Sequence, residues 1–311
     1  MRLARFTLAD GAERVGVMRL RDGRDTLLDV TAAGTARDAK SVAPSMMDLV
    51  AGGTRALDAL RELVAWSDAR GESWLHDAGS DAVQWLTPVP PRTLFAAGRN
   101  FGRHKMESVR GNPATTSKLH SDFPTGFTKL GRTLVPHGAK VRRPPDVVQF
   151  DYEVEIAVIV GQPLENASRE QARDAIFGYT VFNDLSAREW QLAEMHNNLL
   201  MLGKNFPGFG PIGPCILTAD EVPDPTKLVL WLKVNGETRQ HSDCSDLIFG
   251  FDEMVAFWSR MGLTPGDVIS TGTPEGVALH RKPDPGPYWL KPGDVVEAAV
   301  DGIGTLRTII V

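Results

Sequence analysis

The sequence predicts an α+β protein in two parts, a small N-terminal α+β unit over 1–90 and a larger β-rich domain over 91–311. Three observations lead there. Three short strand-like segments near the start are followed by two helical ones, the proline cluster TPVPP (87–91) interrupts the pattern, and the chain beyond it carries many short strands and few helices.

The N-terminal strands are expected near 2–8, 13–20 and 25–30, divided by Asp10-Gly11 and Asp22-Gly23, which favour tight hairpins. SMMDLVAGG (45–53) follows a proline and ends on glycines, as a short helix does. In TRALDALRELVAW (54–66), Leu57, Leu60, Val64 and Trp66 recur at roughly helical spacing. Pro88, Pro90 and Pro91 then stiffen an extended connection. Past it, Ser168 and Gln171 form a capping-box pattern that opens a helix stopping near Gly178, and FDEMVAFWSRMG (251–262) is a second helix closed by Gly262. Strands are expected at 152–160, 178–184, 227–234, 267–271, 294–300 and 304–310.

Composition narrows the function classes. Among 311 residues, 42% are hydrophobic and 23% charged, and the net charge of −5 is spread along the chain, so a nucleic-acid or anionic-membrane partner is not expected. The N-terminus has no apolar signal core, and runs such as LVLWL (228–232) are too short to span a bilayer. With Cys215 and Cys244 as the only cysteines and no C-x-x-C pair, the expected location is the cytoplasm. The expected partners are a small molecule and a second copy of the chain.

The chemistry begins at DYEVEIAVIVG (151–161). Tyr152, Val154, Ile156, Val158 and Val160 make one face, and Glu153, Glu155, Ala157 and Ile159 the other. Two charges about 7 Å apart repel by roughly 2 kcal/mol at an effective dielectric of about 20. A solvated strand end relieves that repulsion, and so does a divalent cation on hard oxygen ligands. Asp184, in GYTVFNDLSAREWQ, is the candidate third carboxylate, although Asn183-Asp184 before Ser186 also suits a turn or helix cap. In GRNFGRHKMES (98–108), His104 and Glu107 share a helical face, as an oriented base or as a plain surface pair. Lys129 and Lys204 sit between glycines and apolar residues, which suits snorkelling or neutralisation of buried charge. ISTGTPEGVA (269–278) leaves a strand through a sharp Gly/Pro turn that could present Thr271, Thr273 and amide groups to an anion. Most other histidines, His280 among them, are expected at the surface or in loops.

Taken in order, GRNFGRHKMES, FDYEVEIAVIVG, GYTVFNDLSAREWQ, GKNF, GPIGP, LKVNGETRQHSDCSDLIF and ISTGTPEGV make residues 93–311 resemble the catalytic domain of the fumarylacetoacetate hydrolase family. That resemblance implies a mixed β-sandwich roll, usually a homodimer, using Mg²⁺, Mn²⁺ or Ca²⁺. It puts Glu153, Glu155 and Asp184 on the metal ligands and His104 with Glu107 on the water-activating dyad. Lys204 falls on the lysine that stabilises developing negative charge, and Lys129, Gln191 and Thr273 fall on substrate contacts. The implied reaction is metal-dependent hydrolysis of a C–C bond in an acylpyruvate-like 1,3-diketone. The alternatives are oxaloacetate-type decarboxylation and 2-oxo acid hydration or isomerisation; a metal-binding protein without turnover is the rival from another class. Departures after Lys204, in NFPGFGPIG, alter one wall of the site, and the polar insert near 105–125 reads as a lid.

Overall fold

The computed structural model describes residues 1–37, 45–71, 73–90, 93–111 and 122–311. Residues 112–121, about half of the expected lid, lie outside the described residues.

Among the described residues, two large sheets of 12 and five strands and one small two-stranded sheet organise the chain. The larger runs from the N-terminal hairpins (Arg2–Thr7, Glu13–Arg21, Arg24–Asp29) through Gly210–Thr218, Ile176–Asn183, Val154–Val160 and Val268–Ser270 to Thr93–Ala97 and Gly126–Leu130. The N-terminal strands are hydrogen-bonded into this sheet: Arg2 and Leu3 pair with Leu217 and Ile216.

Each face of the large sheet has its own cover. Val154, Ile156, Val158 and Val160 pack with Leu230, Leu232, Val296, Ala298 and Leu306 of the five-stranded sheet, giving a sandwich. Ala157, Ile159, Phe182 and Ile216 on the opposite face share a core with Leu49, Leu57, Leu60 and Leu63 of the helix Met46–Asp68. All seven residues of Val154–Val160 are therefore buried, Glu155 with them, as a strand whose two faces both turn apolar past its acidic end requires.

The two expected N-terminal helices form one kinked helix, with Gly53 leaving helical geometry and the Ser45–Asp48 capping box at its start. The Ser168–Gln171 box is also present, opening Arg169–Asp174. Gly210–Thr218 is a strand missed by sequence reading because Pro211, Gly213 and Pro214 interrupt it. It survives in the sheet interior because its pairing with Ile176–Asn183 shifts register between Tyr179 and Val181.

At that crossing a Cβ on Gly178 would lie 2.4 Å from Leu217 O and 2.6 Å from Ile216 Cγ2. Gly178→Ala is expected to destabilise the protein by about 1–3 kcal/mol, read as a lower urea midpoint with an unchanged slope. A midpoint equal to that of the parent would show that the two strands part without cost. No helix among the described residues is long and apolar enough to cross a membrane.

Candidate metal centre and catalytic dyad

The acidic end of Val154–Val160 is buried. Glu153 is 6% and Glu155 1% exposed, so the solvated-strand-end reading does not hold. Asp184 arrives from the adjacent strand, where its amide donates to Glu153 O at 2.8 Å. The Glu153 amide donates to Asn183 Oδ1 at 3.0 Å. These two bonds between neighbouring strands help bring one ligand oxygen from each of Glu153, Glu155 and Asp184 within 4.8 Å of one another.

Three cations surround the carboxylates. Lys204 Nζ donates to Glu153 Oε2 and Asp184 Oδ2, both at 2.6 Å. Lys129 Nζ donates to Asp184 Oδ1 at 2.7 Å, to Phe209 O at 2.8 Å and to Lys204 O. Its three N–H donors are thus committed within the protein, and Lys129 here neutralises Asp184 rather than presenting a free ammonium. Arg188 Nη2 donates to Glu153 Oε1 at 2.6 Å, while its Nε reaches Asp151 Oδ2 at 2.8 Å and its Nη1 reaches Gln191 Oε1 at 2.6 Å.

Asp151, Glu153, Glu155 and Asp184 therefore face Lys129, Lys204 and Arg188, all buried, and Glu155 is the carboxylate without an ion pair among the described residues. Its Oε2 accepts the Gly272 amide at 3.1 Å. Burial, reinforced by the charges of Asp184 and Glu153, pushes its carboxyl well above the ordinary 4.5. Burial also opposes ionisation of Glu153, but Lys204 and Arg188 outweigh it and hold that carboxyl low. Lys204 is raised because Asp184 and Glu153 outweigh its own burial. The arrangement has the excess of buried negative charge, and the hard oxygen donors, that a divalent ion satisfies. The residues fit such an ion.

His104 and Glu107 sit on the helix Gly102–Gly111, whose first turn is docked by the Arg103 amide on Asp246 Oδ2 at 3.0 Å. His104 Nδ1 lies 3.4 Å from Glu107 Oε2, and Gly276 N donates to both Glu107 oxygens at 3.3 Å. Gly276 adopts φ +99°, and a Cβ there would meet Arg239 O at 2.4 Å, so the turn needs glycine to bring its amide to Glu107. Burial works to raise the Glu107 carboxyl, but the His104 hydrogen bond and charge, with the Gly276 amide, hold it below its usual value. His104 is close enough for its charge to act on Glu153, which ties the dyad to the carboxylate cluster.

Thr273 lies on the same turn. Its hydroxyl donates to Val154 O and accepts from Gln240 Nε2, each at 2.9 Å, so its hydrogen is used on the main chain. Sequence reasoning missed three further residues at the site. Asp151 accepts the Ala278 and Leu279 amides, Arg188 joins Asp151 to Glu153, and His280 packs its ring tilted against His104 with centroids 5.6 Å apart. The alternation Asp151, Glu153, Glu155 was the available signal for the first.

Residues 93–311 match the family profile described as fumarylacetoacetate (FAA) hydrolase C-terminal. The chain is 31% identical over 314 aligned residues to oxaloacetate tautomerase fahd2, mitochondrial, of Xenopus laevis, covering all of this chain and 90% of that protein. Among solved structures, a fumarylacetoacetate hydrolase from Exiguobacterium antarcticum superposes with a TM-score of 0.76 at 29% identity, over 100% of this chain and 99% of that one. The fumarylpyruvate hydrolase of Pseudomonas aeruginosa, solved with Mn²⁺ and pyruvate, gives 0.61 at 30% identity, over 75% of this chain and 93% of that one. By this match across the sandwich and every motif of the site, the chain belongs to the fumarylacetoacetate hydrolase family.

Proposed function

We propose that the chain is a divalent-metal-dependent enzyme that hydrolyses a C–C bond of an acylpyruvate-like 2-oxo acid. The observation that carries this reading is the His104–Glu107 dyad, tied by Gly276 to the turn that borders the buried carboxylates. Glu153, Glu155 and Asp184 would hold Mg²⁺ or Mn²⁺, which when bound supplies Lewis-acid polarisation of the 2-oxo group. His104, its imidazolium stabilised by Glu107, takes a proton from water. The water oxygen bonds to the distal carbonyl carbon, the C–C bond breaks, and its electron pair passes into the enolate of the pyruvate half. Lys204 is the ammonium placed to stabilise that negative charge. The proton on His104 then returns to the enolate carbon.

A second reading is keto–enol tautomerisation of a 2-oxo diacid, in which the same base moves a proton between carbon and oxygen without water. It is favoured by the tautomerase named above, whose likeness spans the whole chain.

The test is a panel of acylpyruvates and oxaloacetate, followed spectrophotometrically with Mg²⁺ or Mn²⁺ and again with EDTA, with product identification. Metal-dependent release of pyruvate and the matching acid is expected. Faster keto–enol interconversion of oxaloacetate with no cleaved product would transfer the assignment to the tautomerase reading, and release of CO₂ would transfer it to decarboxylation.

A further inference from the structure

His280 ends the short turn Ala278–His280, and its Nε2 lies 3.2 Å from Ser108 Oγ on the dyad helix. Ser108 Oγ also donates to His104 O at 3.1 Å. A hydroxyl has one hydrogen, and that one is spent on the carbonyl, so Ser108 must accept from His280. The imidazole therefore carries its hydrogen on Nε2, whatever its charge. Burial, with the charge of His104 added, drives His280 down to about 4, so at neutral pH its other nitrogen bears no hydrogen.

The bond has a mechanical consequence. The helix Gly102–Gly111 is fixed at its start by Arg103 on Asp246 and by the bridge between Phe101 and Leu247. In its second turn the described hydrogen bonds to the rest of the protein are those of Glu107 to Gly276, long at 3.3 Å, and of Ser108 to His280. The His104–Glu107 contact is itself long, at 3.4 Å. A dyad so loosely joined depends on whatever holds its helix against the Thr271–His280 turn.

We propose that His280 is a positioning residue: by donating to Ser108 it latches the dyad helix to the turn that carries Thr273 and Gly276, and so sets where His104 points. The role of the dyad rests on the reading above. The latch rests on the contacts alone.

Four variants test it: H280A, H280Q, S108A and the double variant S108A/H280A. Glutamine places an amide donor near the position of Nε2; alanine places none. H280A and S108A are each expected to lower kcat by roughly 10- to 100-fold with KM little changed, the size of effect that follows from a base displaced by a fraction of an ångström to an ångström. The double variant is expected to be no worse than the poorer single one, because both remove the same bond. H280Q should recover to within about threefold of the parent. Mn²⁺ affinity by calorimetry should stay within about twofold in all four, since neither residue touches the carboxylates. Glutamine no better than alanine, or single effects that multiply, would overturn the latch. Amide hydrogen exchange across 102–111 gives a readout independent of turnover: faster exchange in H280A and S108A is expected, and exchange equal to the parent would overturn the proposal. If the parent turns over no 2-oxo acid, the functional reading fails while the exchange result still decides the latch.

Discussion

Replacing His104 with alanine is expected to lower kcat by about 10²- to 10⁴-fold while Mn²⁺ or Mg²⁺ affinity stays unchanged. The separation follows from geometry. His104 has Glu107 and His280 as its side-chain neighbours and makes no bond to Glu153, Glu155 or Asp184, whose positions are set by main-chain ties and by Lys204, Lys129 and Arg188. Removing the imidazole therefore takes away the base and leaves intact every hydrogen bond and ion pair that positions the carboxylates. Glu107→Gln should cost less, because an amide can still orient the ring but lacks the charge that stabilises the imidazolium. The checks are steady-state kinetics on whichever acylpyruvate the parent cleaves, together with calorimetry of the metal. Turnover at the parental rate in H104A would remove His104 from the chemistry, whereas a parallel loss of metal affinity would show that it supports the carboxylates instead.

What the sequence made legible, and what it hid, divides along the range of the interactions involved. Capping at Ser168 and the strand over 304–310 are local properties, and they appear where the sequence placed them. The order of the motifs carried the family. Both faces of Val154–Val160 read as apolar past the glutamates, but what covers them was hidden, because the cover comes from a helix about 90 residues earlier and a sheet 70 or more residues later. The same distance in sequence hid Arg188, whose partners Asp151 and Glu153 lie 37 and 35 residues away, and it hid His280, which is 172 residues from Ser108. Lys129 illustrates a subtler limit. Its apolar setting left snorkelling and neutralisation of buried charge both open, and only the fold shows that Asp184 and two main-chain carbonyls consume its three donors. A residue type at a motif position thus signals proximity to a site, while the contacts decide what the side chain is free to do.

Glu155→Gln is expected to make the metal-free protein more stable and, at the same time, to abolish tight metal binding and turnover. Among the described residues, Glu155 is the carboxylate of this cluster left without an ion pair, facing the negative charges of Glu153 and Asp184 and accepting the Gly272 amide. Its carboxyl is raised in the folded state, so the unfolded chain gives up that proton first. Stability from the protonated form is complete below the ordinary value of 4.5 and is lost progressively as pH rises towards the folded-state value. Glutamine keeps the shape and has no proton to lose. The margin by which the variant exceeds the parent should therefore be small near pH 5 and larger at pH 8, read from urea unfolding in EDTA. Glu153 has the opposite sign, held low by Lys204 and Arg188 against its burial, but it is present in both proteins and drops out of the difference to first order. Adding Mn²⁺ should reverse the order at pH 8, because the ion stabilises only the chain that keeps all three carboxylates. A margin independent of pH would mean that Glu155 ionises without penalty and that the buried cluster carries no uncompensated negative charge.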